Sequence, residues 1–334
     1  MKDYIKLEHG SGGALSRKLL DSVVYPFFKS SIYKELSDSA SLSLSRDILF
    51  TTDTYVVDPP FFPGGDIGKL AVFGTCNDLA VAGGKPEYLS VGLILEEGLS
   101  ITDLQKVLSS LSNAAEEADV LVVTGDTKVV PRGKGGEIFI NTSGIGEREF
   151  PHSLSPLNIV EGDSVVVTGP IGAHGISVLA ARERLGVGGG VVSDCAFLYP
   201  LCRALFSLGD SLRFMRDATR GGVAAILNET IADTEKGMEV WEEAFPIDED
   251  VASVAEILGL NILEVANEGV IVAVVSGDRA EEACHLLKEY PLGRKASVVG
   301  RVTEEYRGKV ILKTRIGGRR FLDFPRGLLL PRIC

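Results

Sequence analysis

Val120-Leu121-Val122-Val123-Thr124-Gly125-Asp126-Thr127-Lys128 is the stretch that decides the fold class. Its apolar first half predicts a buried strand, and Gly125 predicts that the strand breaks there into a turn that carries an acid and a lysine. A helical pattern over residues 102–118 precedes it. This alternation is typical of α/β proteins, which place metal and phosphate chemistry where strands end. The sequence therefore predicts an α/β fold with a site beside Asp126.

Acids recur at comparable places in the first half of the chain. Residues 48–53 predict a buried strand that ends on a carboxylate, and Asp78 lies inside an apolar helix predicted over residues 70–83. Because an unpaired buried carboxylate is costly, Asp78 predicts either a lysine partner, Lys69 or Lys85, or a metal ion. Carboxylate oxygens are ligands that Mg²⁺ prefers. The candidate magnesium ligands are Asp38, Asp53, Asp78 and Asp126.

Glycine-rich segments provide candidate anion sites. Residues 9–13, His-Gly-Ser-Gly-Gly, precede a helical pattern and either approach an anion or form a flexible helix entry. Residues 216–222, Arg-Asp-Ala-Thr-Arg-Gly-Gly, offer two guanidinium groups before a helix predicted over residues 223–232. A capped helix with an internal Arg–Asp pair is the alternative there, and the density of functional residue types favours the site. The segment at residues 169–175 fits neither a Walker A loop nor a dinucleotide fingerprint.

Composition narrows the class of protein. The 334 residues predict two domains, separated by a linker at residues 151–156. A net charge of −12 argues against binding to nucleic acid or to an anionic membrane. The first residues do not resemble a signal peptide, and no apolar run is long enough to span a bilayer. We therefore expect a cytoplasmic protein.

Five cysteines are present, and no two of them form a C-x-x-C pair, so neither a zinc site nor a disulfide framework is indicated. Cys76 and Cys284 lie in apolar stretches and are expected to be buried. The last four residues are Pro331-Arg332-Ile333-Cys334, which place a thiol beside a carboxylate. Prenylation is excluded because it needs a cysteine four residues from the end. An accidental reactive thiol is one interpretation; the other is a functional one, favoured because the chain otherwise shows no obvious nucleophile.

Taken together, these motifs resemble the hydrogenase expression/formation protein E family, the carbamoyl dehydratases of [NiFe]-hydrogenase maturation. This family belongs to the aminoimidazole-ribonucleotide-synthetase-like superfamily. The matching stretches are residues 9–13, 51–57, 62–72, 74–79, 96–98, 125–130, 172–175, 216–222, 266–269 and 331–334. The last is the most specific, because relatives elsewhere in the superfamily lack it. The departures are Cys76, often valine, and the apolar residues 327–330, where a polar residue is usual.

The resemblance implies an α/β fold of the α+β type, with two domains that are each a mostly antiparallel or mixed sheet covered by helices. It implies an N-terminal loop and helix at residues 1–36, a domain for ATP, metal and dimerisation at 37–155, an α/β domain at 156–320 and a flexible tail at 321–334. A carbamoyltransferase partner would load Cys334, and ATP would drive dehydration of the carbamoyl group to a thiocyanate. An iron-carrying hydrogenase maturation scaffold would accept the cyanide, and two N-terminal domains would pair into a homodimer.

The resemblance also assigns roles by matching position. Mg²⁺ and the phosphates of ATP would be held by Asp38, Asp53, Asp78 and Asp126. The residues expected to contact nucleotide are His9, Gly10, Ser11, Gly12, Gly13, Lys69, Asn77, Thr127, Arg216, Asp217 and Arg220. Lys128 and Glu268 would act on the carbamoyl group carried by Cys334, the lysine on developing negative charge and the glutamate as a base. Cys195 and Cys202 lie near none of these motifs in the sequence.

Two other functions stay open at this point. One is a different ATP-dependent synthetase of the superfamily, making selenophosphate or aminoimidazole ribonucleotide; selenophosphate synthetases carry a reactive Cys or Sec near the N-terminus, where this chain has His9 and Ser11. The other is a non-catalytic carrier that only presents the Cys334 thiol to a partner.

Overall fold

The computed structural model describes residues 4–10, 14–28, 42, 44, 47–183, 190–232 and 234–325. The chain divides into two compact units. Of the described residues, the N-terminal unit takes those from 4 to 79 and from 84 to 148, and the C-terminal unit takes those from 80 to 83 and from 149 to 325. Two units built of sheets and helices confirm the predicted fold class.

The N-terminal unit is built around a four-stranded sheet in the order β1-β6-β4-β5. Only the β4–β5 pair is parallel. In chain order its elements are a 3-10 turn Leu7–Gly10, α1 Ala14–Leu19, a π-helical turn Leu20–Val24, β1 Ile48–Tyr55, β2 Phe61–Phe62, β3 Gly65–Asp66, α2 Ile67–Val81, β4 Gly84–Glu96, α3 Ile101–Glu117, β5 Leu121–Val130 and β6 Ile138–Arg148.

The prediction that the strand after Val123 breaks at Gly125 is wrong. Strand β5 continues to Val130, and Gly125 pairs with Val91 in the parallel ladder with β4. The ladder supplies backbone hydrogen bonds on one side of β5, so the glycine is held within the strand. The polar residues that suggested a turn instead alternate along an exposed sheet surface, where Asp126 and Lys128 are both exposed.

The two faces of this sheet differ. Alternate residues of β4, such as Val91 and Leu93, are buried on the face that α2 covers, and Thr142 on β6 donates from its hydroxyl to the carbonyl of Ala71 in α2. Helix α3 packs beside α2, so closely that a Cβ on Gly68 would lie 2.3 Å from the carbonyl oxygen of Val107. The opposite face, called here the open face, carries Asp126 and the residues in register with it.

The C-terminal unit contains a seven-stranded sheet in the order β13-β12-β9-β11-β7-β10-β8. Every neighbouring pair is antiparallel except β9 with β12. Its elements are β7 Ser164–Val167, α4 Ala173–Arg182, α5 Tyr199–Phe206, β8 Leu212–Asp217, α6 Gly222–Ala232, β9 Gly237–Trp241, α7 Glu249–Leu258, β10 Ile271–Val275, α8 Ala280–Lys288, β11 Ser297–Thr303, β12 Val310–Lys313 and β13 Arg319–Phe321.

Both faces of this second sheet are buried. Val165 and Val167 of β7 pack in an apolar cluster with residues of α6, whereas Val166 belongs to a separate cluster with residues of α5 and α8. The period-2 alternation of a strand sends successive side chains to opposite faces, so a continuous apolar run is what a doubly covered strand requires. A third cluster joins α4 to α7.

Candidate functional site

Two of the predicted magnesium ligands lie on the helix-covered face of the N-terminal sheet. The hydroxyl of Thr51 on β1 donates a hydrogen bond to Asp78 Oδ2 on α2, at 3.0 Å. Asp53 is two residues further along β1 and is paired with Thr142, whose side chain contacts α2, so it projects to the same face. Both carboxylates are half-buried. Carboxylate oxygens at such a position suit a hard cation.

Asp126 occupies the other face of the sheet. It is in register with Gly92 on β4, and Gly92 is in register with Asn141 on β6. Lys128 Nζ lies 2.8 Å from Asp126 Oδ2, and the N–H of Thr127 donates to Asp126 Oδ1 at 2.8 Å. The hydrogen bond from Lys128 is the main reason that the pKa of Asp126 lies below its usual range. Asp126 thus holds the Lys128 ammonium group on the open face.

The three predicted ligands that the structure describes, Asp53, Asp78 and Asp126, are therefore distributed over both faces of one sheet. Asp38 lies outside the described residues, and within the described ranges no group of three or more His, Cys, Asp or Glu side chains is positioned to hold a metal ion. Of the two lysines suggested as partners for Asp78, Lys85 lies 3.8 Å from Asp119 and Lys69 donates to the carbonyl of Gly64 at 3.2 Å. The magnesium set stays a prediction.

The residues expected to contact nucleotide lie in both units. Lys69, in the first turn of α2, also lies 5.6 Å above the Phe73 ring, and Asn77 is buried in the same helix. His9 Nδ1 accepts the backbone N–H of Lys6 at 3.2 Å, in the 3-10 turn that includes Gly10. Ser11, Gly12 and Gly13 lie outside the described residues.

The arginine-rich segment joins β8 to α6 in the C-terminal unit. Arg216 is exposed near the end of β8 and forms an ion pair with Glu229 on α6, and Asp217 is buried. Helix α6 begins at Gly222, where φ is +59°. A Cβ there would lie 2.5 Å from the carbonyl oxygen of Val265, so only glycine fits this helix start. The segment containing Arg220 is thereby tied to the region before residue 266.

Residues 266–269 form a buried, hydrogen-bonded segment in the same unit. Asn267 is fully buried; its Oδ1 accepts the N–H of Gly172 at 2.6 Å and its Nδ2 donates to the carbonyl of Ala218 at 2.7 Å. Glu268 is also buried, and its carbonyl accepts the N–H of Ala196 at 3.3 Å. The predicted base therefore lies on a backbone that is fixed from several sides.

Asp194 is a site neighbour that sequence reasoning missed. Its carboxylate accepts the N–H of Glu268 at 3.2 Å and the N–H of Gly269 at 3.0 Å. Burial raises the pKa of Asp194 to about 6, against these N–H groups, which lower it. Residues 193–196 carry no helix or strand pattern, so nothing in their sequence indicates a carboxylate that is bound by backbone N–H groups. Cys195 lies between Asp194 and Ala196, which both contact Glu268, so it is close to residues 266–269 in space although it is far from them in the sequence.

The four cysteines within the described ranges are all buried and unpaired by disulfides: Cys76, Cys195, Cys202 and Cys284. This confirms the expected burial of Cys76 and Cys284. Burial raises the pKa of the Cys76, Cys202 and Cys284 thiols. Since the thiolate is the nucleophile, these thiols are poor ones. Cys334 lies outside the described residues.

Comparison with known proteins identifies the family. A model described as AIR synthase related protein, N-terminal domain, matches residues 36–148, and one for the C-terminal domain matches residues 160–313. The carbamoyl dehydratase HypE of Escherichia coli is 43% identical over 336 residues, covering 99% of each chain. The chain belongs to the HypE family of carbamoyl dehydratases. The HypE of Rhizobium leguminosarum is 42% identical, over 99% of this chain and 95% of its own.

Solved HypE structures share the whole fold. A crystal structure of HypE in complex with ATP superposes with a TM-score of 0.94 at 41% identity, covering 98% of this chain and 99% of that one. HypE in a complex with HypF superposes with a TM-score of 0.81 at 40% identity. Thiamine monophosphate kinase from Aquifex aeolicus, at 17% identity and a TM-score of 0.61, shares the fold alone. In the described part of this HypE family member, every helix is too short or too polar to cross a membrane.

Proposed function

We propose that this chain uses ATP to dehydrate a carbamoyl group, carried on the Cys334 thiol, to a thiocyanate that donates cyanide to the iron of a [NiFe] hydrogenase. The observation that carries the proposal is the end-to-end identity of 43% with a carbamoyl dehydratase. A solved relative that binds ATP supports the use of ATP here.

The burial of the other thiols supports Cys334 as the carrier. Cys76, Cys195, Cys202 and Cys284 are enclosed, so loading any of them would require opening a core. Cys334 ends the segment 331–334 that matches the family motif. A carrier thiol must reach a loading partner, an ATP site and an acceptor in turn, which an enclosed thiol cannot do.

The reaction can be written with its atoms balanced. The carbonyl oxygen of the S-carbamoyl group attacks the γ-phosphorus of ATP, and ADP leaves. A base removes the two N–H protons while the C–O bond breaks, so that the oxygen departs with phosphate and a C≡N bond remains on sulfur. The products are S-cyanocysteine, ADP and phosphate. Oxidation states do not change, so no redox partner is needed.

Named side chains would serve these steps. Lys128, held beside Asp126, would stabilise negative charge that develops on the carbamoyl and phosphoryl oxygens. Glu268 would take the N–H protons. Asp53 and Asp78, on the helix-covered face, would share one Mg²⁺ with the predicted ligand Asp38, and Asp126, on the opposite face, would need a second ion; each ion would neutralise phosphate charge when bound. Half-buried carboxylates at Asp53 and Asp78 fit the first ion.

Partners follow from the same function. A carbamoyltransferase would load Cys334, and the solved complex of HypE with HypF supports a direct contact with a maturation partner. An iron-carrying hydrogenase maturation scaffold would receive the cyanide. Two N-terminal units would pair through the open face into a homodimer, for which the exposed apolar residues on that face provide support.

The test is intact mass spectrometry after incubation with the carbamoyltransferase, carbamoyl phosphate and ATP. Wild type should first gain the carbamoyl group and then lose about 18 Da, one water, only when ATP is supplied. Heavy oxygen placed in the carbamoyl group should appear in the phosphate. Cys334→Ala should bind ATP yet show neither mass change.

Cys195→Ala is the matched control, because it removes the described thiol nearest to residues 266–269. It should gain and lose mass like wild type. If Cys334→Ala still shows the ATP-dependent loss, another thiol is the carrier and the proposal fails. If wild type is loaded but never consumes ATP, the chain is a passive carrier.

A further inference from the structure

The backbone of Glu268 is held on two sides by groups with no part in the reaction proposed above. On one side, both oxygens of the Asp194 carboxylate accept the Glu268 N–H, at 3.2 and 3.3 Å, and Asp194 Oδ2 accepts the Gly269 N–H at 3.0 Å. On the other side, the N–H of Ala196 donates to the Glu268 carbonyl. Residues 194–196 thus form hydrogen bonds with the peptide groups on both sides of Glu268.

The two segments lie so close together that Gly269 cannot be replaced by a residue with a Cβ. A Cβ on Gly269 would lie 2.0 Å from the carbonyl oxygen of Asp194, so the two segments approach to backbone contact. Asn267, the residue before Glu268, is fully buried and donates from its backbone N–H to the carbonyl of Ala218 at 3.1 Å. The position of the Glu268 Cα is therefore determined by neighbours on each side.

Asp194 is itself anchored to a helix. The backbone N–H of His174, in the first turn of α4, also donates to its carboxylate, where the positive end of the helix dipole favours an anion. Ser193 Oγ accepts the N–H of Cys195 at 3.1 Å and lies 2.8 Å from His174 Nδ1. One carboxylate thus connects the start of α4 to the segment that carries Glu268.

We propose that Asp194 is a positioning residue that fixes the Glu268 carboxylate for proton removal by holding the backbone of residues 268–269 against α4. This inference rests on the proposed role of Glu268 and adds a residue to it. A carboxylate is needed because four backbone N–H groups, its own included, converge on it, and an amide would turn its own NH₂ donor toward some of them. A small displacement of a reacting group is enough to lower a rate by about 100-fold.

The test measures single-turnover loss of water from carbamoylated Cys334 in the full-length protein, at saturating ATP. Asp194→Asn should slow this step by about 10- to 100-fold while ATP affinity stays unchanged. Glu268→Gln should slow it further. The double variant should be no slower than Glu268→Gln alone, because a residue that acts only through Glu268 has nothing left to position. If Asp194→Asn instead slowed the reaction through a general structural defect, its effect would multiply with that of Glu268→Gln, and the double variant would be slower than either single variant.

Asp163→Asn is the matched control. Asp163 is a second carboxylate of the C-terminal unit that accepts a backbone N–H, from Val160 at 2.8 Å; it is buried and lies 3.6 Å from Arg213. Its variant should dehydrate the carbamoyl group at the wild-type rate. If Asp194→Asn does not fold, Ser193→Ala replaces it, since this variant loosens the same segment without removing a charge, and the same loss of additivity is expected.

The outcomes separate two failures. A slow Glu268→Gln with a fast Asp194→Asn, or effects that multiply in the double variant, overturns the positioning role and leaves the proposed base in place. A Glu268→Gln variant that dehydrates at the wild-type rate overturns the role of Glu268 and the positioning role together. In either case, ATP-dependent loss of water from wild type still tests the proposed function separately.

Discussion

At the scale of single residues, His174 in α4 and Asp194 beside it respond to pH in opposite directions. Burial lowers the pKa of His174 to about 3 and raises that of Asp194 to about 6. A folded-state pKa below the unfolded value of about 6.5 makes His174 stabilising above pH 6.5, and that stability is lost as the pH falls. Asp194 contributes most to the stability of the folded state below its unfolded pKa of about 3.9, and this stability is lost as the pH rises through its folded pKa of about 6.

His174→Asn should therefore change the pH dependence of stability. Between pH 7 and pH 5 the unfolded wild type takes up a proton on His174 that the folded state does not, which favours unfolding. The variant lacks this group, so its unfolding free energy should rise by about 2 kcal/mol relative to wild type over this range. Urea unfolding followed by fluorescence of Trp241, the single tryptophan, reports on the C-terminal unit. His285→Asn, at an exposed position on α8, should keep the wild-type dependence. Equal pH slopes for wild type and His174→Asn would contradict the buried neutral imidazole.

The carboxylates of the N-terminal unit can be tested individually. Asp53→Asn and Asp126→Asn should each abolish ATP hydrolysis, because each removes a charge proposed to hold Mg²⁺ and phosphate, while the fold stays intact by circular dichroism. Asp103→Asn is the control: Asp103 lies 2.7 Å from Lys106 on α3, much as Asp126 lies 2.8 Å from Lys128. If both site variants hydrolyse ATP normally, these acids are structural.

At the scale of elements, the sequence predicted helices better than strand ends. The pattern over residues 102–118 became α3 Ile101–Glu117, because its apolar positions repeat at helical spacing and face one core. The apolar run at residues 91–95 covers only part of strand β4, which runs from Gly84 to Glu96. In β4, buried residues such as Val91 alternate with Ser90 and Gly92, which lie on the open face. Pairing with β5 and β6 extends the strand beyond its apolar part. Strand length depends on partners that are distant in sequence.

The same distinction explains what could be predicted of the site. Glu268 lies in a motif that local sequence reveals, whereas Asp194 reaches it through hydrogen bonds across 74 residues of sequence separation. The position of Asp194 depends on its hydrogen bonds to His174 in α4 and to Gly269. No local pattern encodes such a contact, so only the folded chain identifies it.

The start of α6 gives a prediction about an element. Gly222 and Gly259 both have positive φ, +59° and +65°, but a Cβ on Gly259, at the end of α7, would meet nothing within 4 Å. Gly259→Ala should cost about 1 kcal/mol of unfolding free energy through backbone strain alone. Gly222→Ala should cost a further 1–3 kcal/mol, roughly, because its Cβ meets backbone oxygens that cannot move away. Trp241 fluorescence in urea measures both, and equal losses would contradict the clash.

At the scale of the whole molecule, the open face of the N-terminal sheet is organised in rows. Phe50, Ile145, Tyr88 and Leu121 are in register across all four strands and form an apolar row. The next rows carry hydroxyl groups and then Asp126, so the apolar row and the Asp126–Lys128 pair share one surface. Phe50 is 67% exposed. A continuous exposed apolar row of this kind usually marks a contact surface.

We therefore predict a homodimer, in exchange with monomer, that buries this row. Light scattering after gel filtration should show a mass that rises toward the dimer with concentration. Phe50→Lys should keep the protein monomeric, because burying an ammonium group in the row has no compensating partner. Ile257→Lys is the matched control, since Ile257 is 64% exposed but lies on α7 in the C-terminal unit, and it should dimerise like wild type. A wild-type protein that stays monomeric at high concentration and still turns over ATP would contradict the shared interface.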